Sequence, residues 1–256
     1  MSFLDIPIFP PNGNLIMACH ITGVFDVNRN ETLHDDVYEL VRDWAESIAD
    51  KKINGIIFHN NFSAETCRKY ENEFISFIHV SYNPTFNPNV FRYFVYRDFL
   101  ERNINQFDNI FVTDISDVTV IKNPFAEAFF TENPKSIFCG DEPKILNNEW
   151  MTDHSTHLRN KLPDYVAYEK SFGEKTLLNC GIVGANAPLF FEFIQQLCDI
   201  HLRGNSDNKT AFTGDMGAFN YLARTQFNEN LKHGTPVNTV FKEYENERRD
   251  CWFRHK

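Results

Sequence analysis

The 256-residue chain carries 25 Lys and Arg against 35 Asp and Glu, a formal charge of −10, with 42% hydrophobic and 23% charged residues. Such a balance excludes wholesale disorder, and a chain of this length buries enough apolar surface to fold without disulfide or metal staples. It has no basic stripe for nucleic acid, no run of about 18 apolar residues for a membrane span, and no signal-like start, so the expectation is a soluble, cytoplasmic protein. The six cysteines form no CxxC pair and read as reduced, mostly buried thiols, and the sequons at Asn30, Asn61 and Asn208 carry no weight in such a compartment.

Short apolar runs alternate with amphipathic stretches, which predicts an α/β fold in a single domain. Residues 15–21 form the first expected strand, ending in Thr22 and Gly23. A helix over 35–49 follows, with Asp35 or Asp36 as N-cap. Strands are expected over 53–58 and 74–80, separated by a short helix that opens at Ser63. A long aromatic-rich helix covers 90–102, and a strand over 109–113 delivers Asp114 at its end. Beyond it come a strand over 137–139 and a long polar stretch over 141–175. A strand over 177–183, helices over 188–202 and from Asp215, a last strand over 236–241 and a polar tail complete the chain.

Ligands of open α/β sheets bind at the carboxyl edges of the strands, which directs attention to Thr22–Gly23, His59–Asn60, Ser81 and Asp114 to Asp117. Asp114 and Asp117 are two carboxylates just past a buried strand, a hard oxygen set suited to Mg²⁺ or Mn²⁺. The plainer alternative is one Asp capping the next turn and the other solvated. Asp215 follows Gly214 at a helix start, where it serves either as a simple N-cap or as a hydrogen-bonding partner for a substrate.

The run from Phe111 to Val118 followed by Asn123-Pro124-Phe125, with Arg97 upstream, Asn179-Cys180-Gly181 and Asp215-Met216 downstream and His255 in the tail, resembles the GT-A glycosyltransferases, in particular glycogenin-like and bacterial galactosyltransferase-like members. The resemblance implies a Rossmann-like GT-A domain whose mixed, mainly parallel sheet is flanked by helices. Its nucleotide-binding half would span about residues 1–125 and its donor-sugar and acceptor half about 126–256. It implies Mn²⁺ or Mg²⁺ held by Asp114, Asp117 and His255 and bridging the diphosphate of a nucleotide-sugar, with UDP favoured. Thr22, Gly23, Arg97 and Asp114 then contact the nucleotide, and Asn179, Gly181 and Asp215 the donor sugar. A glycan or glycoconjugate acceptor is expected on the stretch 141–175. Asp215 is one candidate catalytic residue, and Asp141, of the Asp141–Glu142 pair, is a candidate general base where a solvated loop pair is the alternative.

Two departures stand out. The acidic motif Asp114-Ile115-Ser116-Asp117 is one residue longer than Asp-x-Asp, so either Ser116 or Asp117 fills the second position, and Asp117 supplies the charge a cation needs. Met216 stands where the family carries Gln. It keeps open a nucleotide-sugar-binding module without turnover. An aspartate-based phosphatase is the remaining alternative, and it ranks last because it requires strict Asp-x-Asp spacing.

Overall fold

A computed structural model describes residues 13–26, 31–204 and 214–256; the sequons at Asn30 and Asn208 lie outside them. The first half runs β1 (Asn14–His20), a ribbon of β2 (Phe25–Asp26) and β3 (Glu31–Thr32), α1 (Arg42–Asp50) and β4 (Asn54–His59). It continues through α2 (Ala64–Tyr70), β5 (Ile75–His79), α3 (Pro88–Asn103) and β6 (Asn109–Thr113). The second half begins with β7 (Val118–Val120), α4 (Ala128–Thr131) and β8 (Ile137–Ile145). Three short helices follow, α5 (Glu149–His154), α6 (Thr156–Lys161) and α7 (Tyr165–Phe172). Then come β9 (Thr176–Asn186), α8 (Ala187–Gly204), α9 (Asp215–Gln226), β10 (Leu231–His233) and β11 (Phe253–His255).

Seven strands make one sheet in the order β10-β8-β9-β6-β1-β4-β5, with β9 alone running antiparallel to its neighbours. The expected α/β class with a mainly parallel sheet is therefore the observed one. Strand alternation divides the core between the two faces. Leu15 and Met17 of β1 pack on the side of α3, α8 and α9, while Ile16 and Ala18 pack on the side of α1. From β1 the chain steps outward to β4 and β5, then returns to lay β6 on the opposite flank of β1. That reversal is the topological switch point, and the crevice of such sheets, their usual ligand position, falls there at the carboxyl ends of β1 and β6. Among the described residues no helix is long and apolar enough to cross a membrane.

Local chemistry explains the element ends. Ser63 caps α2 by accepting from the Thr66 amide, and Asn87 caps α3 ahead of Pro88. Asp36 does not cap α1: at φ 59° it turns away, and its carboxylate accepts the Ser63 amide across the loop. The polar stretch 141–175 is largely structured, because Met151, Leu158, Leu162, Tyr165 and Tyr168 bury one side of three short helices. No strand forms over 236–241. This segment instead binds the tail, its Pro236 and Val237 carbonyls accepting the Trp252 and Phe253 amides, and the edge strand is β10.

Candidate metal centre and its surroundings

Thr113 ends β6 with its hydroxyl accepting the indole N–H of Trp44 at 2.7 Å, and the Asp114 amide donates to the Gly181 carbonyl of β9 at 2.7 Å. Both bonds fix where the Asp114 side chain leaves the sheet. Asp117 precedes β7, and β7 pairs antiparallel with β11 so that His255 faces Val118. The tail is anchored, not frayed: Trp252 is fully buried with ring-centroid distances of 5.4–6.2 Å to Phe111, Phe129, Phe130 and Phe138. Burying these aromatic rings drives the tail into place and brings His255 with it.

The ligand atoms of Asp114, Asp117 and His255 all lie within 4.8 Å of one another. The His255 Nε2 is 3.8 Å from Asp114 Oδ2 and 3.9 Å from Asp117 Oδ2. His255 is 1% exposed, yet neither ring nitrogen has a hydrogen-bond partner. Burial pushes its pKa down from 6.5 to about 4, so the imidazole is neutral at pH 7 with a lone pair to give. A buried, unpartnered imidazole is costly on its own, and a cation would relieve that cost. Two carboxylates and one neutral nitrogen suit Mn²⁺ or Mg²⁺ with substrate oxygens completing the shell. Gly181 is required here on steric grounds. A Cβ at this position would lie 2.5 Å from Asp114 Oδ2, 2.7 Å from His255 Cε1 and 2.9 Å from Asn179 Oδ1.

Arg92, not Arg97, meets Asp114. The Arg92 Nη1 donates to Asp114 Oδ1, which leaves Oδ2 turned toward His255, and Nη2 lies 3.7 Å from Asp215. Arg97 pairs instead with Asp98 at 2.7 Å and lies over the Phe94 ring. Five residues of helix separate the two arginines by about 140° of rotation, so they serve different faces of α3. Asp215 is buried as the first residue of α9, where Gly214, at φ 54°, holds the cap position; Asp215 is therefore not a simple N-cap. The Cys180 thiol donates to it at 3.5 Å. Met216 accepts the Cys180 amide through sulfur at 3.4 Å, and Asn220 bonds both the amide and the carbonyl of Leu178. Those bonds lock α9 onto β9.

Asn179 lies buried beside the cluster, its Oδ1 accepting the Gly181 amide at 2.7 Å and its Nδ2 donating to Glu142 at 2.9 Å. The carboxylate joined to this network is thus Glu142. Asp141 is bonded to His233 Nδ1 at 2.8 Å on the β10 edge, outside the hydrogen bonds that join Glu142, Asn179 and Gly181. Thr22 is clamped at the end of β1 by Asn60 and Asn61, and Gly23, at φ 73°, turns the chain there.

Two further buried histidines set an acid limit on the fold. Burial lowers His59 and His201 from 6.5 to about 4, helped at His59 by His79 and His20 and at His201 by His157 and Arg92 and opposed there by Asp215. The unfolded chain takes up these protons near pH 6.5 and the native one only near 4. Their stabilisation is therefore complete above about 6.5 and is lost as pH falls toward about 4, at about 3 kcal/mol per site. Thermal unfolding between pH 7 and 4 should show this limb, and His201→Phe, which keeps the ring stacked on Tyr93, should flatten it. An equally steep limb in the variant would mean that His201 ionises freely in the native state.

Compared with protein-family models and with curated protein sequences, the chain matches none.

Proposed function

We propose that this chain is a divalent-cation-dependent glycosyltransferase. It moves a sugar from a nucleoside-diphosphate donor, a UDP-sugar in our reading, to a glycan or glycoconjugate acceptor. The reading is carried by His255, a buried imidazole with both nitrogens unpartnered, beside two carboxylates at the β1–β6 crevice. As the glycosidic bond breaks, negative charge grows on the leaving diphosphate and positive charge on the sugar. A bound Mn²⁺ or Mg²⁺ would neutralise the diphosphate. Arg92 adds a fixed positive charge at the same place, oriented beforehand by Asp114 and Asp215. Asp215 and the Asn179–Glu142 pair offer acceptor oxygens for sugar hydroxyls.

Met216 favours a second reading, cation-dependent nucleotide-sugar binding without turnover, because its sulfur is spent on the Cys180 amide and offers the sugar no amide group. Release of nucleoside diphosphate from UDP- and GDP-sugars with Mn²⁺ separates the two. Turnover that chelation abolishes supports the transferase, and metal-dependent binding without release supports the second reading. In calorimetry, Mn²⁺ should bind weakly alone and far more tightly with UDP, since three protein ligands leave half of an octahedral shell to water and phosphate. Tight Mn²⁺ binding without nucleotide would sink both readings.

A further inference from the structure

Trp150 is 43% exposed, whereas Trp44 and Trp252, the other tryptophans, are fully buried. Its indole is held, not loose. The His154 ring stacks on it with centroids 3.7 Å apart, and His154 Nδ1 bonds the Trp150 carbonyl at 3.0 Å. Their helix α5 is fixed beneath by buried Met151 and capped by Asn148, whose Oδ1 accepts the Met151 amide at 3.0 Å. One indole face is therefore backed by imidazole while the ring keeps a large open surface.

This platform adjoins the candidate site. Helix α5 packs against α9, whose first residue is Asp215. His157, which sits close enough to His154 for the latter's charge to lower its proton affinity after the larger effect of burial, closes over Gly214, where a Cβ would lie 2.5 Å from its Nε2. Trp150 thus stacks on His154, His154 lies within electrostatic reach of His157, and His157 covers Gly214, the residue before Asp215. The charge around the indole selects the occupant. Glu149 and Asp153 are exposed on α5, one residue before Trp150 and three after it, so hydroxyl donors find acceptors there. An apolar ring with carboxylates on the same helix matches a neutral pyranose, which has one face of C–H groups and a rim of hydroxyls.

We propose that Trp150 is the acceptor platform, stacking a neutral sugar ring of the acceptor and leading its reactive hydroxyl toward Asp215. The proposal rests on the glycosyltransferase reading, and two separate readouts keep them apart. Lactose, maltotriose, cellotriose and chitotriose are the probes. Because Trp150 is the solvent-exposed indole, one or more of them should shift tryptophan emission to the blue in the wild type and leave Trp150→Phe unchanged. The same saccharide should accelerate donor consumption. Trp150→Ala should raise its KM about tenfold with kcat at saturation within about twofold, and Trp150→Phe should recover most of the loss. No emission shift with any of the four, or an unchanged KM in Trp150→Ala, overturns the platform. Absence of donor hydrolysis in the wild type overturns the transferase reading alone, since emission still reports saccharide binding.

Discussion

Asp114→Ala is expected to remove Mn²⁺-dependent UDP binding and to lower kcat/KM by about 100-fold or more, because it deletes a cation ligand and frees Arg92 together. The second loss distinguishes it from Asp117→Ala. Arg92 is buried, and without Asp114 its nearest carboxylate is Asp215 at 3.7 Å. Leaving a buried charge undercompensated costs about 3–5 kcal/mol. Asp117 is about a third exposed and its contact in the cluster is with His255. Its removal should therefore weaken metal-dependent binding while leaving urea unfolding near the wild-type curve. Calorimetry with UDP and Mn²⁺, paired with urea denaturation of both variants, makes the comparison. Equal stability losses, or wild-type UDP affinity in Asp114→Ala, would contradict the roles assigned here.

The grouping of Asp114, Asp117 and His255 was legible because each member sits beside a strong local signal. Asp114 and Asp117 follow an apolar strand, and His255 follows Trp252 and Phe253, rings too apolar to leave in water. The arginine was not legible. Helix α3 is buried on almost every side from Val90 to Tyr96, so no polar face marks which arginine points into the crevice. Only the position of β6 and β9 against the helix decides for Arg92. Which of the two carboxylates within β8 joins the Asn179 network was not legible for a different reason. Alternation along a strand tells which of Asp141 and Glu142 faces the site only if the register is regular, and β8 shifts register against β9 at Cys139–Gly140 and again between Asp141 and Ile145. The stretch 141–175 does carry helical spacing, but Asn148, Ser155 and Pro163 break it into pieces too short to stand out from a polar background. The segment 236–241 has the apolar content of a strand, yet its carbonyls bond a tail that no local pattern announces.

Arg92→Lys is expected to lower kcat/KM by about 2–4 kcal/mol of transition-state stabilisation, whereas Arg97→Lys should stay within about threefold of the wild type. The geometry explains the asymmetry. Arg92 reaches Asp114 through Nη1, and through Nη2 it reaches the Tyr93 hydroxyl at 3.2 Å and approaches Asp215 at 3.7 Å. A planar fork holds these partners at once; an ammonium on a shorter reach cannot, although it keeps the positive charge. Lysine is the better test than alanine, because alanine would strand two carboxylates in a buried site and confuse lost folding with lost catalysis. Arg97 is half-buried over Phe94 and pairs with its neighbour Asp98, so lysine there changes little beyond a helix-flank contact. If the leaving diphosphate is stabilised from α3, the loss in Arg92→Lys should fall on kcat more than on the KM of the donor, since the charge it meets grows during bond cleavage. Steady-state kinetics with a UDP-sugar at saturating Mn²⁺ reads that split directly. A larger loss in Arg97→Lys than in Arg92→Lys would return the role to Arg97, and an effect of Arg92→Lys confined to KM would make Arg92 a ground-state binding residue.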